Sequence, residues 1–264
     1  MIRAFMALCV AFATMLAPVA GPRARSNDVA ADSTVFELRT YTAHPGKLPN
    51  VLARFREHTT KLFERHGMVN VGYFTPLDSA DGSADKLVYV LRHASRSAAA
   101  ASWKAFGADP EWKTVAAASE ANGPIVSKVE SVFLTSADFS PSAFTSKAGA
   151  VPRVFELRTY TARDTLLSNL DTRFRSYTIR LFAQHGMTSV AYWHPTDADK
   201  GGGRTLVYLL VHPDRARATS NWASFRSDSA WVRAKAASEQ AAGGSLTTEV
   251  KSVFLAPTDF SPLR

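Results

Sequence analysis

The sequence predicts an α+β fold in which one β-α-β-β-α-β unit, the ferredoxin-like order, is used twice. Two observations predict it. The stretch Val35-Phe36-Glu37-Leu38-Arg39-Thr40-Tyr41-Thr42-Ala43 returns as Val154-Phe155-Glu156-Leu157-Arg158-Thr159-Tyr160-Thr161-Ala162, and the same offset then holds through the turns and helices that follow. Within each copy, the hydrophobic period changes from alternation to helical spacing, through two short apolar runs, to a second helical stretch and a last alternating run.

In the first copy, Val35–Thr42 alternates, with Phe36, Leu38 and Thr40 on one face and Val35, Glu37, Arg39 and Tyr41 on the other, which is the period of a strand. Ala43-His44-Pro45-Gly46 ends it. From Lys47, residues Leu48, Val51, Leu52, Phe55, Thr59, Leu62 and Phe63 fall on one helical stripe, while Arg54, Arg56, Glu57, Lys61 and Glu64 take the wet face. His66-Gly67 stops this helix, with Gly67 suited to a left-handed C′ position. Val69–Thr75 reads as a second strand and Lys86–Arg92 as a third. The unbroken run Leu87-Val88-Tyr89-Val90-Leu91 indicates burial on both faces.

Ser95 or Ser97 caps a helix carrying Trp103 and Phe106. Asp109-Pro110-Glu111-Trp112 opens another: an aspartate cap, a proline in the first turn and an acid at the positive end of the dipole. Asn122-Gly123-Pro124 ends it, and Val126–Leu134 is the fourth strand. The expected sheet is antiparallel with helices on one face.

The second copy answers the first element by element. His185-Gly186-Met187 matches His66-Gly67-Met68; Trp222, Phe225 and Trp231 match Trp103, Phe106 and Trp112. After Glu239 the spacing widens, so the turn before the last strand is longer in the second copy. Asp138-Phe139-Ser140-Pro141 closes the first unit and Asp259-Phe260-Ser261-Pro262 the second. The domain plan is therefore 35–141, a linker at 142–153, and 154–262.

Residues 1–25 read as a targeting segment rather than fold. Arg3 precedes an apolar run from Ala4 to Ala17, shorter than the ~20 residues of a membrane span. Small residues near Ala20 and again at Val29-Ala30-Ala31 leave the cleavage site open. Export to the periplasm or beyond is expected, with no stable membrane span after processing. Cys9, the sole cysteine, lies in this segment, so the processed chain would have neither disulfides nor thiol chemistry. The formal charge of +8 falls to +5 without Arg3, Arg23 and Arg25, and the remaining basic residues are dispersed among acids, which argues against a nucleic-acid partner. At 46% hydrophobic residues, the chain can bury a sizeable core.

The V-F-E-L-R-T-Y-T opening, the helix ending F-x-x-H-G-M, the L-V-Y-V-L third strand and the W-x-x-F…D-P-x-W segment together resemble the NIPSNAP family over Val35–Pro141 and Val154–Pro262. The resemblance implies a dimeric α/β-barrel, two four-stranded sheets packed face to face, which a tandem pair builds within one chain. A further homo-oligomer stays open. The wider superfamily contains cofactor-free monooxygenases, haem-degrading enzymes and isomerases, so the resemblance implies a pocket rather than a particular chemistry.

Three groups of residues are candidates for a site. Glu37, Arg39 and Tyr41, with their counterparts Glu156, Arg158 and Tyr160, share one strand face. With Phe36 and Leu38 expected against the helices, the charged face is expected to meet the partner sheet, as an ion-pair network or a polar ligand site. Trp103 and Trp222, with Tyr73, Tyr89, Tyr192 and Tyr208, supply either core or an aromatic pocket between sheet and helices. His66 and His185, at helix C-termini, are caps or, alternatively, acid–base groups at a pocket mouth. His93 and His212 read as loop anchors. No zinc-type histidine spacing, nucleophile elbow or phosphate loop is present in the sequence, so no metal and no cofactor is expected. Three functions remain in play: binding of a small apolar or aromatic molecule, cofactor-independent oxygenase or isomerase chemistry, and a structural or partner-binding module with a solid barrel core.

Overall fold

Every strand pairs antiparallel with its neighbours, and the last pairing closes the ring. The computed structural model describes residues 33–142, 144 and 153–264; the segment 1–25 expected to direct export and most of the expected linker lie outside them. The first repeat runs β1 (Val35–Ala43), α1 (Leu48–Arg54), α2 (Thr60–Arg65), β2 (Val69–Pro76), β3 (Lys86–His93), α3 (Arg96–Ala108), α4 (Pro110–Ser119) and β4 (Val126–Ser136). The second runs β5 (Val154–Ala162), α5 (Leu167–Arg173), α6 (Ile179–Gln184), β6 (Thr188–Pro195), β7 (Thr205–His212), α7 (Arg215–Ser227), α8 (Ser229–Ala241) and β8 (Thr247–Pro257). The closed barrel has the order β1-β3-β2-β8-β5-β7-β6-β4. Closure joins what would otherwise be the edge strands of two separate sheets.

The two repeats meet at two short seams. Phe74–Pro76 of β2 pairs with Leu255–Pro257 of β8, and Leu134–Ser136 of β4 pairs with Trp193–Pro195 of β6. Both copies fall in one compact unit, so they are halves of a barrel rather than separate bodies.

The expected helix caps form. The Ser95 side chain accepts from the Ala98 N–H, and Asp109 accepts from Glu111 and Trp112. Gly67 adopts φ +77°, where a side chain would be strained. The long first helix is not uniform: α1 and α2 are joined by a π-helical turn, Phe55–Thr59, and Phe174–Thr178 repeats it between α5 and α6. In this wide turn Thr59 Oγ1 donates to the Arg54 carbonyl at 3.1 Å, as Thr178 does to Arg173 at 3.2 Å.

The orientation expected for β1 is reversed. Phe36 and Leu38 point into the barrel, where they pack with Val88, Val90 and Leu134 and, from the other repeat, Phe155, Trp193 and Leu255. Glu37, Arg39 and Tyr41 face the helices instead. The physical reason is that both faces of each sheet are covered, but only one cover offers polar partners. The barrel interior is lined by apolar side chains from all sides and cannot stabilise a charge. The helix layer supplies an indole N–H. The barrel core is accordingly apolar, and the polar side chains of β1 lie between sheet and helices.

The closing motifs cross over. Asp259 accepts from Arg56 Nε and Nη2 at 2.6 and 2.8 Å, and Asp138 accepts from Arg175 Nε and Nη2 at 3.0 and 2.7 Å. Ser261 Oγ accepts from the Tyr73 N–H, and Ser140 Oγ from the Tyr192 N–H, each at 2.9 Å. Phe260 packs into the helix layer of the first repeat, and Phe139 into that of the second. Each Asp-Phe-Ser-Pro motif thus clasps the other repeat, and the π-turns present the arginines that receive them.

Candidate functional site

Alternation along β1 sets Glu37, Arg39 and Tyr41 under the helices, and α3 lays Trp103 across them. Glu37 is 1% exposed. One of its oxygens accepts from Arg39 Nη1 at 2.5 Å and Ser131 Oγ at 2.6 Å; the other accepts from His93 Nε2 at 3.0 Å and Trp103 Nε1 at 2.7 Å. Since a carboxylate only accepts, the His93 proton sits on Nε2. Glu156 repeats this with Arg158 (2.5 Å), Ser252 (2.6 Å), His212 (3.0 Å) and Trp222 (2.6 Å). The arginine planes lie over the indoles, at 4.3 Å for Arg39 on Trp103 and 4.2 Å for Arg158 on Trp222.

Burial alone would raise the pKa of either carboxyl. For Glu37, the His93 hydrogen bond, the Arg39 charge and the Ser131 and Trp103 bonds outweigh it, and the value falls to about 2. Glu156 falls to about 2 for the matching reasons. Burial likewise opposes the charge on Arg39, but Tyr89, Tyr41 and Glu37 more than compensate and hold its pKa above the ordinary arginine value. Four donors occupy the four acceptor directions of each carboxylate. Neither glutamate has a lone pair left for a substrate proton; each is the knot that ties sheet, helix and third strand together.

The tyrosines form the adjoining wall. Tyr73 stacks on Tyr89 and Tyr192 on Tyr208, each at 5.4 Å. Tyr41 meets Tyr89 edge-on at 5.4 Å, and Tyr160 meets Tyr208 at 5.3 Å. The Tyr73 hydroxyl donates to Asn70, and the Tyr192 hydroxyl bonds Ser189, so both are engaged beside their own strands. The Tyr89 and Tyr208 hydroxyls are buried without a hydrogen-bond partner, and burial pushes their pKa values up. In the second repeat Arg158 Nη2 donates to the Tyr160 hydroxyl at 3.2 Å.

His66 and His185 stand apart from this cluster, at the ends of α2 and α6. His66 Nε2 bonds the cap aspartate Asp109 at 2.7 Å; His185 Nε2 bonds Asp228 at 2.8 Å, with its Nδ1 2.8 Å from Ser224 Oγ. The imidazole bond is the main cause of the lowered pKa of each aspartate. These pairs join the C-terminus of α2 to the N-terminus of α4 and that of α6 to α8, and their geometry is that of a link between helices.

Most residues that border the sheet–helix cavity of the second repeat are not singled out by the sequence. A cavity of about 170 Å³ lies between sheet and helices of the second repeat, with Tyr160, Phe174, Phe182, Phe225 and Trp231 among its walls and Arg173, Thr178, Lys235, Glu239, Ser245 and Thr247 as polar groups. Of the expected ligand residues, Tyr160 lines it. Arg173 and Phe174 lie at the π-turn, which leaves no mark in an apolar stripe. Ser245 lies in the lengthened turn before β8 and Thr247 opens that strand, a departure that the sequence does display. Among the described residues no three His, Cys, Asp or Glu side chains cluster as metal ligands, and no helix is long and apolar enough to cross a membrane.

Solved structures of similar shape include a candidate monooxygenase from Fusobacterium nucleatum (TM-score 0.55, 10% identity, 86% of this chain and 93% of that one) and one from Lactobacillus acidophilus (TM-score 0.52, 11% identity, 85% and 94%). At these identities the likeness concerns the fold. A NIPSNAP domain protein from Burkholderia xenovorans is 25% identical over 41% of this chain and 99% of its own, with a TM-score of 0.35. No curated protein matches the sequence. The NIPSNAP family model matches residues 36–141 and again 155–262, nearly the whole of both halves of the barrel, and the chain belongs to the NIPSNAP family.

Proposed function

We propose that this NIPSNAP protein binds a small aromatic molecule in the sheet–helix cavity of its second repeat. The observation that carries the reading is the cavity itself, about 170 Å³ and walled by five aromatic rings. An apolar cavity of about 150 Å³ is enough to hold a benzene ring. Ring edges and faces recognise a flat apolar group, and a few polar groups at one side orient it. The glutamate knots keep the walls rigid, which lowers the ordering cost of binding.

Native mass spectrometry of the full chain purified from its own host, followed by calorimetric titration with benzyl alcohol, tests this. Binding at one site per chain, abolished by Ser245→Phe at the cavity wall, is the expected result. A bare mass together with no heat at millimolar benzyl alcohol would overturn it and leave a structural role for the barrel. The same experiment reads the processed N-terminus. Arg3 and the apolar run after it support export as part of the proposal, with a mass lacking at least the first twenty residues expected.

A further inference from the structure

In both repeats the first helix and the helix that follows the aspartate cap flank a surface groove with an arginine at its floor. The groove of the first repeat, about 430 Å³, is bordered by Arg54, Glu57 and His58; that of the second, about 270 Å³, by Ser168, Asn169, Thr172, Arg173, Tyr177 and Ser238. In the second repeat Arg173 also lines the inner aromatic cavity. One guanidinium therefore stands where a polar outer groove and an apolar inner cavity adjoin.

The arginines differ in how well they are neutralised. Arg54 Nη1 donates to Glu120 at 3.0 Å and to Ser119 at 3.2 Å. Arg173 Nη1 reaches Glu239 and Ser238 only at 3.4 Å each. The cause is a second cation: Lys235 Nζ takes Glu239 at 2.6 Å, and the position matching Lys235 in the first repeat is Ala116. Two cations share one carboxylate, which leaves a surplus positive charge beside the cavity. Like that of Arg54, the Arg173 side chain is 5% exposed with its Nε buried and without a partner, so the difference lies in the shared carboxylate. Burial pulls its pKa below the ordinary arginine value although Glu239 opposes this, so the charge is held at a cost that an added acceptor would offset. Trp231 lies under the guanidinium at 5.4 Å, next to where a ring would sit.

We infer that this junction is a receptor for a small aromatic anion, with the ring in the inner cavity and a carboxylate or similar oxyanion on the Arg173 guanidinium. A planar guanidinium matches a carboxylate's two oxygens, which a lysine does not. The inference rests on the binding reading above and adds the charge of the ligand to it.

The test is calorimetric titration of the full chain with benzoate, benzyl alcohol and acetate. Benzoate is expected to bind at least ten-fold more tightly than either. Lys235→Ala, at a half-exposed side chain on the cavity wall, should weaken benzoate several-fold and benzyl alcohol by less than two-fold. Arg173→Met, with folding checked by circular dichroism, should bring benzoate and benzyl alcohol within two-fold of each other; if that variant does not fold, Lys235→Ala carries the test. Equal affinity of the wild-type chain for benzoate and benzyl alcohol, or an equal effect of Lys235→Ala on both, would overturn the anion inference and leave the cavity reading standing. Failure of all three probes at millimolar concentration would overturn both.

Discussion

The two repeats agree where the scaffold is made and differ where a ligand would sit. The glutamate knots superpose donor for donor, with matching distances to arginine, histidine, serine and indole. The grooves do not match. His58 faces Tyr177 across the pseudo-symmetry, Ala116 faces Lys235, and α8 has 13 residues against 10 in α4. A buried carboxylate with four donors tolerates no change, since each lost partner leaves a buried group unsatisfied. A groove residue at the surface is free to vary. The difference teaches that duplication has kept one half-barrel's mechanics twice while the two sheet–helix layers diverged.

The strongest way to break this comparison is to separate its halves. Residues 33–142 alone would expose the barrel face carrying Phe36, Val88, Val90 and Leu134 and lose both seams and both clasps. No soluble, cooperatively folding monomer of this fragment is expected by ultracentrifugation and chemical denaturation. A stable monomer would make the repeats independent domains.

Next come the knots. Glu37→Ala and Glu156→Ala should each cost about 3–5 kcal/mol, because the removal strands a buried arginine and its fellow donors, and the two losses should be equal in urea denaturation. A large inequality would show that one knot has another task. Acid titrates the same groups in the unmodified chain. Both pKa values are depressed, from 4.5 to about 2. Their contribution is therefore complete above the unfolded value and is lost as pH falls towards the folded one. Each shift corresponds to about 3 kcal/mol. Urea midpoints should hold above pH 5 and fall steeply between pH 4.5 and pH 2.

Much of this scaffold is legible in the sequence, and the gaps have physical causes. Alternation in Val35–Ala43 identifies a strand with two distinct faces, but period two does not say which face turns inward. When both faces are covered, the drier cover takes the apolar side, and only the closed barrel reveals that the partner sheet is drier than the helices. Repetition of Asp-Phe-Ser-Pro shows that the motif does the same thing twice, yet not that each copy does it to the other repeat. The π-turns are silent because Phe55, Thr59 and Leu62 satisfy an ordinary helical stripe. The cavity residues Arg173 and Trp231 have near-identical counterparts in Arg54 and Trp112, so the residue that sets them apart, Lys235, is visible only as one substitution among many. The knots were half visible: Glu37, Arg39 and Trp103 stand out, whereas Ser131 reaches the carboxylate through β-sheet register across from Arg39.

The clasps give the smallest effect and the finest test. Phe139 and Phe260 are both half-buried in the layer of the opposite repeat, with Arg175 and Arg56 over their rings at 5.3 and 5.5 Å. Full truncation of a buried phenylalanine costs about 3–5 kcal/mol, so each alanine variant should lose about 2 kcal/mol. Because each motif closes the other repeat, Phe139→Ala should loosen the second layer and Phe260→Ala the first. Hydrogen exchange resolves this directly: faster exchange around Tyr192 in the first variant and around Tyr73 in the second is expected. Exchange confined to the repeat that carries the mutation would sink the crossover. Equal losses of global stability with opposite exchange patterns would show that the two halves differ in their grooves while sharing one mechanical frame.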